Sequence, residues 1–185
     1  MPDPFAGLTT QRPIRCDEPL HPYTTWKVGG TARWFWEPDG DALPDVLRRC
    51  RETGISVRVL GRGSNVLIDS RGFDGLVICM RNSFTDIEVE GSTVRAGAGV
   101  QLPKLARTAS RAGIAGFGFL VGIPGSVGGG TAMNAGLAAK GRREISTILE
   151  AATVVDLTSG ETATVPAAEL GLDYRQSNLA EKRWM

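Results

Sequence analysis

Between Gly118 and Gly136 the chain reads GFLVGIPGSVGGGTAMNAG, seven glycines in nineteen residues. That backbone is too bare for an ordinary helix or strand, because each glycine loses more conformational freedom on ordering than other residues do. It is also too apolar for a flexible linker. Such a segment is ordered only where another body lies against it, either a packed helix or a flat ligand. Pro124 stiffens the entry. Gly125 and Ser126 stand near a predicted helix start, where free N–H groups and the helix dipole favour phosphate. Gly128, Gly129 and Gly130 let a neighbour approach the main chain, and Asn134 can hydrogen-bond a ring edge. Close helix–strand packing explains the same glycines without a ligand.

A second glycine loop precedes it. LGRGSNVLI reads as a strand, a tight loop over Gly61–Asn65, and extended structure resuming at Val66. Gly61 and Gly63 allow positive φ, so successive N–H groups can turn toward one anion. Ser64 and Asn65 add side-chain donors. The loop lacks the G-x-x-x-x-G-K-[ST] pattern of a P-loop, and no helix follows at once as the G-x-G-x-x-G fingerprint requires. Gly97–Leu102 begins like that fingerprint without its third glycine. A plain turn between strands is the alternative reading. Two such loops in one chain suit an extended ligand with a diphosphate and a flat ring, a flavin or nicotinamide dinucleotide.

Around these loops the chain divides softly near residue 81. Residues 1–80 begin with an irregular proline-rich arm. A short strand follows over Ala32–Pro38, then a helix within DGDALPDVLRRCRETG, with Leu43, Val46, Leu47 and Cys50 on one face, Pro44 in its first turn and Gly54 as its stop. Ser56–Leu60 and the apolar run Gly75–Met80 read as strands, the second buried on both faces. This is a small βαβ-like unit. Residues 81–185 are mostly antiparallel. A hairpin turns at Gly91-Ser92, a helix spans Gln101–Ala112 with Leu102, Leu105, Ala106 and Ala109 inward, and a later strand pair turns across Ser159-Gly160. The fold class is α+β in two subdomains.

Bulk properties exclude several functions. A formal net charge of +1 across 185 residues gives no nucleic-acid footprint. No apolar run reaches membrane-spanning length, and no basic segment followed by an apolar core opens the chain, so a cytoplasmic protein is expected. Cys16, Cys50 and Cys79 are far apart and odd in number, against a disulfide framework or zinc site. His21 is the sole histidine, so no metal site and no Ser-His-Asp triad is expected. Trp26, Trp34 and Trp36 can stack on an adenine or flavin ring or belong to the core. Lys27 can meet a phosphate or stay solvated.

The order of the motifs YTTWKVGGTARWFWEP, VLGRGSNVLIDSRGFDGLVI, RAGAGVQLPKLARTASRAGIAGFGFLVGIPGSVGGGTAMNAG and DYRQS, over residues 20 to 178, resembles the bacterial UDP-N-acetylmuramate dehydrogenase (UDP-N-acetylenolpyruvoylglucosamine reductase) family. The resemblance implies an FAD-binding fold of the vanillyl-alcohol-oxidase (PCMH) type, with non-covalent FAD between its two subdomains. It implies NADPH as co-substrate and a UDP-sugar, UDP-N-acetylglucosamine enolpyruvate, reduced to UDP-N-acetylmuramate in cytoplasmic peptidoglycan precursor synthesis. By match, Gly61, Arg62, Gly63, Ser64, Asn65 and Val66 would hold the FAD diphosphate. Gly122, Ile123, Pro124, Gly125, Ser126 and Val127, with Asn134, Ala135 and Gly136, would line FAD.

The catalytic match is DYRQS. Tyr174 and Arg175 resemble the family's Tyr-Arg pair beside the substrate. Hydride addition to an enolpyruvyl group spreads negative charge into its carboxylate, and a fixed guanidinium stabilises that charge most in the transition state. A surface arginine after a turn is the plain alternative. The family's proton-donating serine and assisting glutamate belong to its C-terminal segment and have no match here; Ser177 lies within the Tyr-Arg motif and is not assigned that role. The family's third, substrate-binding domain is expected to be absent, as in a fragment or a shortened relative. An FAD-dependent oxidase of the same superfold and a non-enzymatic FAD-binding module are the rival readings.

Overall fold

The apolar run after Gly75 becomes the centre of the first sheet. A computed structural model of the chain describes residues 3–38, 40–137, 141 and 143–185. β1 (Arg15–Pro19), β2 (Thr31–Trp36), α1 (Leu43–Thr53), β3 (Val57–Leu60) and β4 (Phe73–Cys79) make a four-stranded sheet in the order β1-β2-β4-β3. β2 and β3 both run parallel to β4, while β1 pairs antiparallel with β2. β4 therefore separates the strands that α1 connects, and the βαβ unit is split by a strand that arrives later.

Alternation assigns the core. Trp36, Leu76 and Ile78 face α1 and meet Val46, Leu47 and Cys50. Their neighbours Phe35, Val77 and Cys79 face the other way, onto Leu20 and Leu60. Each such large apolar side chain contributes about 1.5–3 kcal/mol on full burial. α1 starts with Pro44 in its first turn and stops at Gly54, whose φ of 70 closes the helix in the left-handed region. Asp39, in the stretch from which that helix was read, lies outside the described residues.

Two expectations change. The N-terminal arm is not irregular throughout, since Arg15–Pro19 forms an edge strand held by backbone pairing. Val66–Ile68 forms no strand. It runs beside the Gly29–Gly30 segment instead, where a Cβ on Gly29 would stand 2.9 Å from Ile68 Cβ.

Beyond residue 81 the pairs are small and antiparallel: β5 (Ile87–Glu90) with β6 (Thr93–Ala96), β7 (Gly136–Leu137) with β8 (Arg143–Glu144), and β9 (Ala151–Val155) with β10 (Thr162–Pro166). Gly91 takes φ +57 in the β5–β6 turn. α2 (Leu102–Arg111) buries the four expected residues. It packs with Phe119, Leu120 and Ile145 around Val100. The chain end returns to the first core: Met185 and Val155 exchange backbone hydrogen bonds, and both pack against the cluster around Trp36.

Candidate functional site

The first loop leaves β3 at Gly61 and is fastened from below. Gly63 has φ +65, and a Cβ there would stand 2.1 Å from Tyr23 O, so glycine is required both for conformation and for approach. Thr25 N donates to Gly63 O at 3.0 Å, which seats the Tyr23–Gly30 motif against the loop. The N–H groups of Arg62, Gly63, Ser64 and Asn65 donate no hydrogen bond among the described residues. Four successive donors thus lack a partner among the described residues, at a turn where Gly63 is buried and Asn65 exposed.

The second loop comes to the first through two serines. Ser64 Oγ donates to Pro124 O at 3.1 Å. A Cβ on Gly125, itself at φ +134, would stand 3.0 Å from Ser64 Oγ, and a Cβ on Gly61 would stand 2.8 Å from Ser126 Oγ. Each loop places a hydroxyl over the other loop's glycine. Gly122, by contrast, has open space where a Cβ would point. Ser126 is buried and caps α3 (Val127–Ala132), accepting from Gly129 N at 3.4 Å.

At that helix start the N–H groups that follow the expected Gly125–Ser126 seat are already occupied. Val127 N donates to Val100 O at 2.8 Å and Gly128 N to Ala98 O at 2.9 Å, so the first turn of α3 is satisfied by the preceding loop. Two of the three successive glycines serve packing. A Cβ on Gly128 would meet Ala98 Cβ at 3.0 Å, and one on Gly130 would meet Ile145 Cδ1 at 2.7 Å.

Asn134 is an internal joint. It is 1% exposed, with φ +39, a conformation that asparagine tolerates better than most residues. Nδ2 donates to Glu144 Oε2 at 3.2 Å and to Asp173 O at 3.1 Å, and Oδ1 accepts from Ser146 N at 3.0 Å. Both amide hydrogens are engaged inside the protein, so its side chain does not offer the ring-edge donor expected from the sequence. It docks the Tyr-Arg motif instead. Arg175 Nη2 donates to Gly136 O at 2.7 Å, and Ser177 Oγ donates to Ala132 O at 2.8 Å. Arg175 takes φ +58, and its guanidinium carbon lies 5.2 Å from the centre of the exposed Tyr174 ring. A cleft of about 680 Å³ opens next to this motif, with Ser146, Asp173 and Gln176 in its lining. Glycine content signalled the loops. The supporting roles of Ser126, Glu144 and Asp173 had no local signature.

The remaining candidates separate clearly. Trp36 is fully buried and donates to Arg12 O at 3.1 Å, and Trp34 packs edge-on against Phe5, but Trp26 is 68% exposed. Lys27 Nζ donates to Pro22 O. Burial pushes the Cys79 thiol up to about 11; it lies behind the first loop, 3.9 Å from Gly61 O. Burial, then the charge of Arg81, lowers the Arg62 guanidinium below its ordinary value. Among the described residues no group of three or more His, Cys, Asp and Glu stands together as a metal site, and no helix is long and apolar enough to cross a membrane.

The expected cofactor fits this donor set: four N–H groups at the first loop with no partner among the described residues, a hydroxyl-locked second loop, and an open face at Gly122. The profile of a family described as FAD binding domain matches residues 39–165. The chain is 44% identical over 168 residues to a UDP-N-acetylenolpyruvoylglucosamine reductase of Synechococcus sp. (strain RCC307), covering 90% of this chain and 54% of that protein. It is 38% identical over 170 residues to the protein of that name from Desulforamulus reducens, covering 91% and 55%. The chain thus spans about half the length of these curated relatives. The crystal structure of UDP-N-acetylenolpyruvylglucosamine reductase (MurB) from Thermus caldophilus superposes with TM-score 0.71 at 35% identity, over 91% of this chain and 57% of that one. A cholesterol oxidase from Brevibacterium sterolicum shares the fold alone, with TM-score 0.65 at 16% identity, over 90% of this chain and 35% of that one.

Proposed function

The chain belongs to the FAD binding domain family, and from that membership we propose that it is the FAD-binding portion of a UDP-N-acetylenolpyruvoylglucosamine reductase. Its reaction is the NADPH-dependent reduction of UDP-N-acetylglucosamine enolpyruvate to UDP-N-acetylmuramate, in cytoplasmic peptidoglycan precursor synthesis. The observation that carries the reading is the meeting of two glycine loops through Ser64 Oγ and Pro124 O.

Bound FAD supplies hydride transfer between the nicotinamide and the enolpyruvyl double bond. The N–H groups of Arg62, Gly63, Ser64 and Asn65 hold the FAD diphosphate. Gly61 and Val66 shape that loop. Gly122, Ile123, Pro124, Gly125, Ser126 and Val127, with Asn134, Ala135 and Gly136, would line the bound FAD. Arg175 pairs with the substrate carboxylate as charge accumulates there. One Nη donor is fixed on Gly136 O, which leaves the rest of the guanidinium fork for the carboxylate. Tyr174 stands beside it, its ring centre 5.2 Å from the guanidinium carbon.

The test is direct. Purified protein is expected to be yellow or to take up added FAD, and to release an unmodified flavin on denaturation. A colourless preparation that takes up none overturns the reading. NADPH oxidation dependent on the UDP-sugar separates the reductase from an FAD-binding module without that activity.

A further inference from the structure

β9 has two edges, and the one away from β10 is paired over only part of its length. Asp156 N donates to Glu161 O at 2.9 Å and Ala167 N donates to Glu150 O at 2.9 Å, so the even-numbered residues of β9 turn their main-chain groups toward β10. The odd-numbered residues turn theirs to the opposite edge. There Val155 N donates to Met185 O at 3.1 Å, Met185 N donates to Val155 O at 2.9 Å, and Leu157 N donates to Arg183 O at 2.8 Å. Asp156 lies opposite Trp184 in the same antiparallel register. Arg183, Trp184 and Met185 thus lay the first part of a third strand beside β9. The N–H and C=O groups of Thr153 and Ala151, further along that edge, have no partner among the described residues, and both residues are exposed.

The register fixes what can be added there, because side chains opposite each other in a sheet share a face. Trp184 and Ala152 pack against the buried cluster of Val154, Val165, Leu170 and Leu179. Met185, Val155 and Leu157 pack against the cluster around Trp36. A strand that continues this pairing therefore needs apolar side chains opposite Val154 and Ala152. It can carry polar ones opposite the exposed Thr153 and Ala151. An open edge with unpaired donors and acceptors is a template for such a segment. The chain spans about half the length of its curated relatives, so those proteins carry further chain to supply it.

We propose that the outer edge of β9 accepts an extended segment from the portion of the reductase that this chain does not span, added antiparallel in the register that Val155 and Met185 begin. The identity of the occupant rests on the reductase reading; the open edge rests on hydrogen-bond geometry. Main-chain bonds to Thr153 and Ala151 hold the segment, and the alternation of its side chains selects it.

Residue-resolved amide hydrogen exchange reads the edge without any substitution. In the chain alone, the Thr153 amide should exchange about a hundredfold faster than those of Val154 and Val155, because its N–H is unpaired. The probe is a synthetic peptide of about ten residues, the length of a long strand, taken from the Synechococcus reductase directly after its matched region. At saturating peptide, exchange at Thr153 should slow about tenfold, and a scrambled peptide that loses the alternation should have no effect. T153P removes the outward donor and should weaken the peptide about tenfold while the chain melts nearly as the wild type does. A152P removes the N–H that faces Val165 and should lower the melting temperature. Thr153 as protected as Val155 in the chain alone overturns the open edge; protection that grows with protein concentration assigns the edge to a second copy instead. A peptide that does not bind, or that binds without slowing Thr153, overturns strand addition, while FAD uptake by the chain still decides the reductase reading. Slowed exchange at Thr153 in a chain that takes up no FAD upholds the edge and overturns that reading.

Discussion

Ser64 Oγ donates to Pro124 O at 3.1 Å, and that one hydroxyl joins two glycine loops sixty residues apart in sequence. The joint needs the first loop in one conformation only, which Gly63 provides. An alanine there would carry its Cβ to 2.1 Å from Tyr23 O at φ +65. G63A is expected to destabilise the chain by about 2 kcal/mol or more, from left-handed strain plus a backbone clash. FAD uptake should fall with it. Urea unfolding and a flavin titration measure the two effects; a variant as stable as the wild type would remove the loop's fastening to Tyr23 from the account.

Asn134 connects Glu144, Ser146 and Asp173 from within the protein. N134A leaves these groups short of a partner and is expected to lower stability by about 1–3 kcal/mol. N134D places a second carboxylate within reach of Glu144 Oε2, so at neutral pH it should be worse than N134A. The like-charge pair raises the folded-state carboxyl pKa, so the folded form binds protons more tightly than the unfolded one. The extra instability therefore grows as pH rises and closes on acidification. Denaturation of both variants at pH 5 and pH 7 tests the sign.

Much of the fold was legible because its signals are local. The periodicity of Leu43, Val46, Leu47 and Cys50 marks α1, Gly54 marks its end, and the unbroken run before Met80 marks the central strand. β1 was not legible. Its side chains are mostly exposed, so it has no alternation of apolar residues and is held by backbone pairing with β2. The glycine loops announced themselves, but what each glycine does depends on distant partners. Val100 O and Ala98 O take the N–H groups of Val127 and Gly128 at the start of α3, and Ile145 takes the space beside Gly130. Nothing near Asn134 in sequence reveals that Asp173 will accept its amide hydrogen.

Arg175 is exposed and makes one strong bond, to Gly136 O at 2.7 Å. Replacing it should change stability little, because exposed charged groups contribute little to folding. R175Q is therefore expected to bind FAD as the wild type does; where the proposed reductase activity is measured, UDP-sugar-dependent NADPH oxidation should fall about a hundredfold or more. R175K keeps the charge but loses the planar fork, and should recover only part of the rate. Unimpaired turnover in R175Q would reduce Arg175 to a residue that anchors a turn.

The cysteines give a pH window. Burial pushes Cys50 from 9.0 up to about 12 and Cys79 from 9.0 up to about 11. Both thiols hold their protons more tightly folded than unfolded, so their contribution is complete below pH 9 and is lost as pH rises toward 11 and 12. Tyr23, raised from 10.0 by burial and by its hydrogen bond to Glu18, adds to the loss in the same direction. Alkaline melting curves should steepen above pH 9, and C79A should lessen that steepening. Native protein at pH 8 should expose one reactive thiol, Cys16, and unfolded protein all three cysteines; three reactive thiols in the native state would contradict this burial.

Neighbouring glycines in α3 should respond with opposite sign. A Cβ on Gly130 would stand 2.7 Å from Ile145 Cδ1 and 3.1 Å from Leu102 Cδ1, inside a packed core. G130A is expected to cost about 1–3 kcal/mol through overpacking. Gly129 is exposed, and its Cβ would meet only Ser126 Oγ at 3.4 Å, an ordinary contact. Alanine there gains helix propensity of up to about 1 kcal/mol, so G129A should leave stability unchanged or raise it. If Gly129 instead faced the flavin closely, G129A would weaken FAD binding while leaving the melting temperature of the cofactor-free chain intact. Measuring melting and FAD affinity for both variants separates the glycine kept for packing from one kept for a ligand.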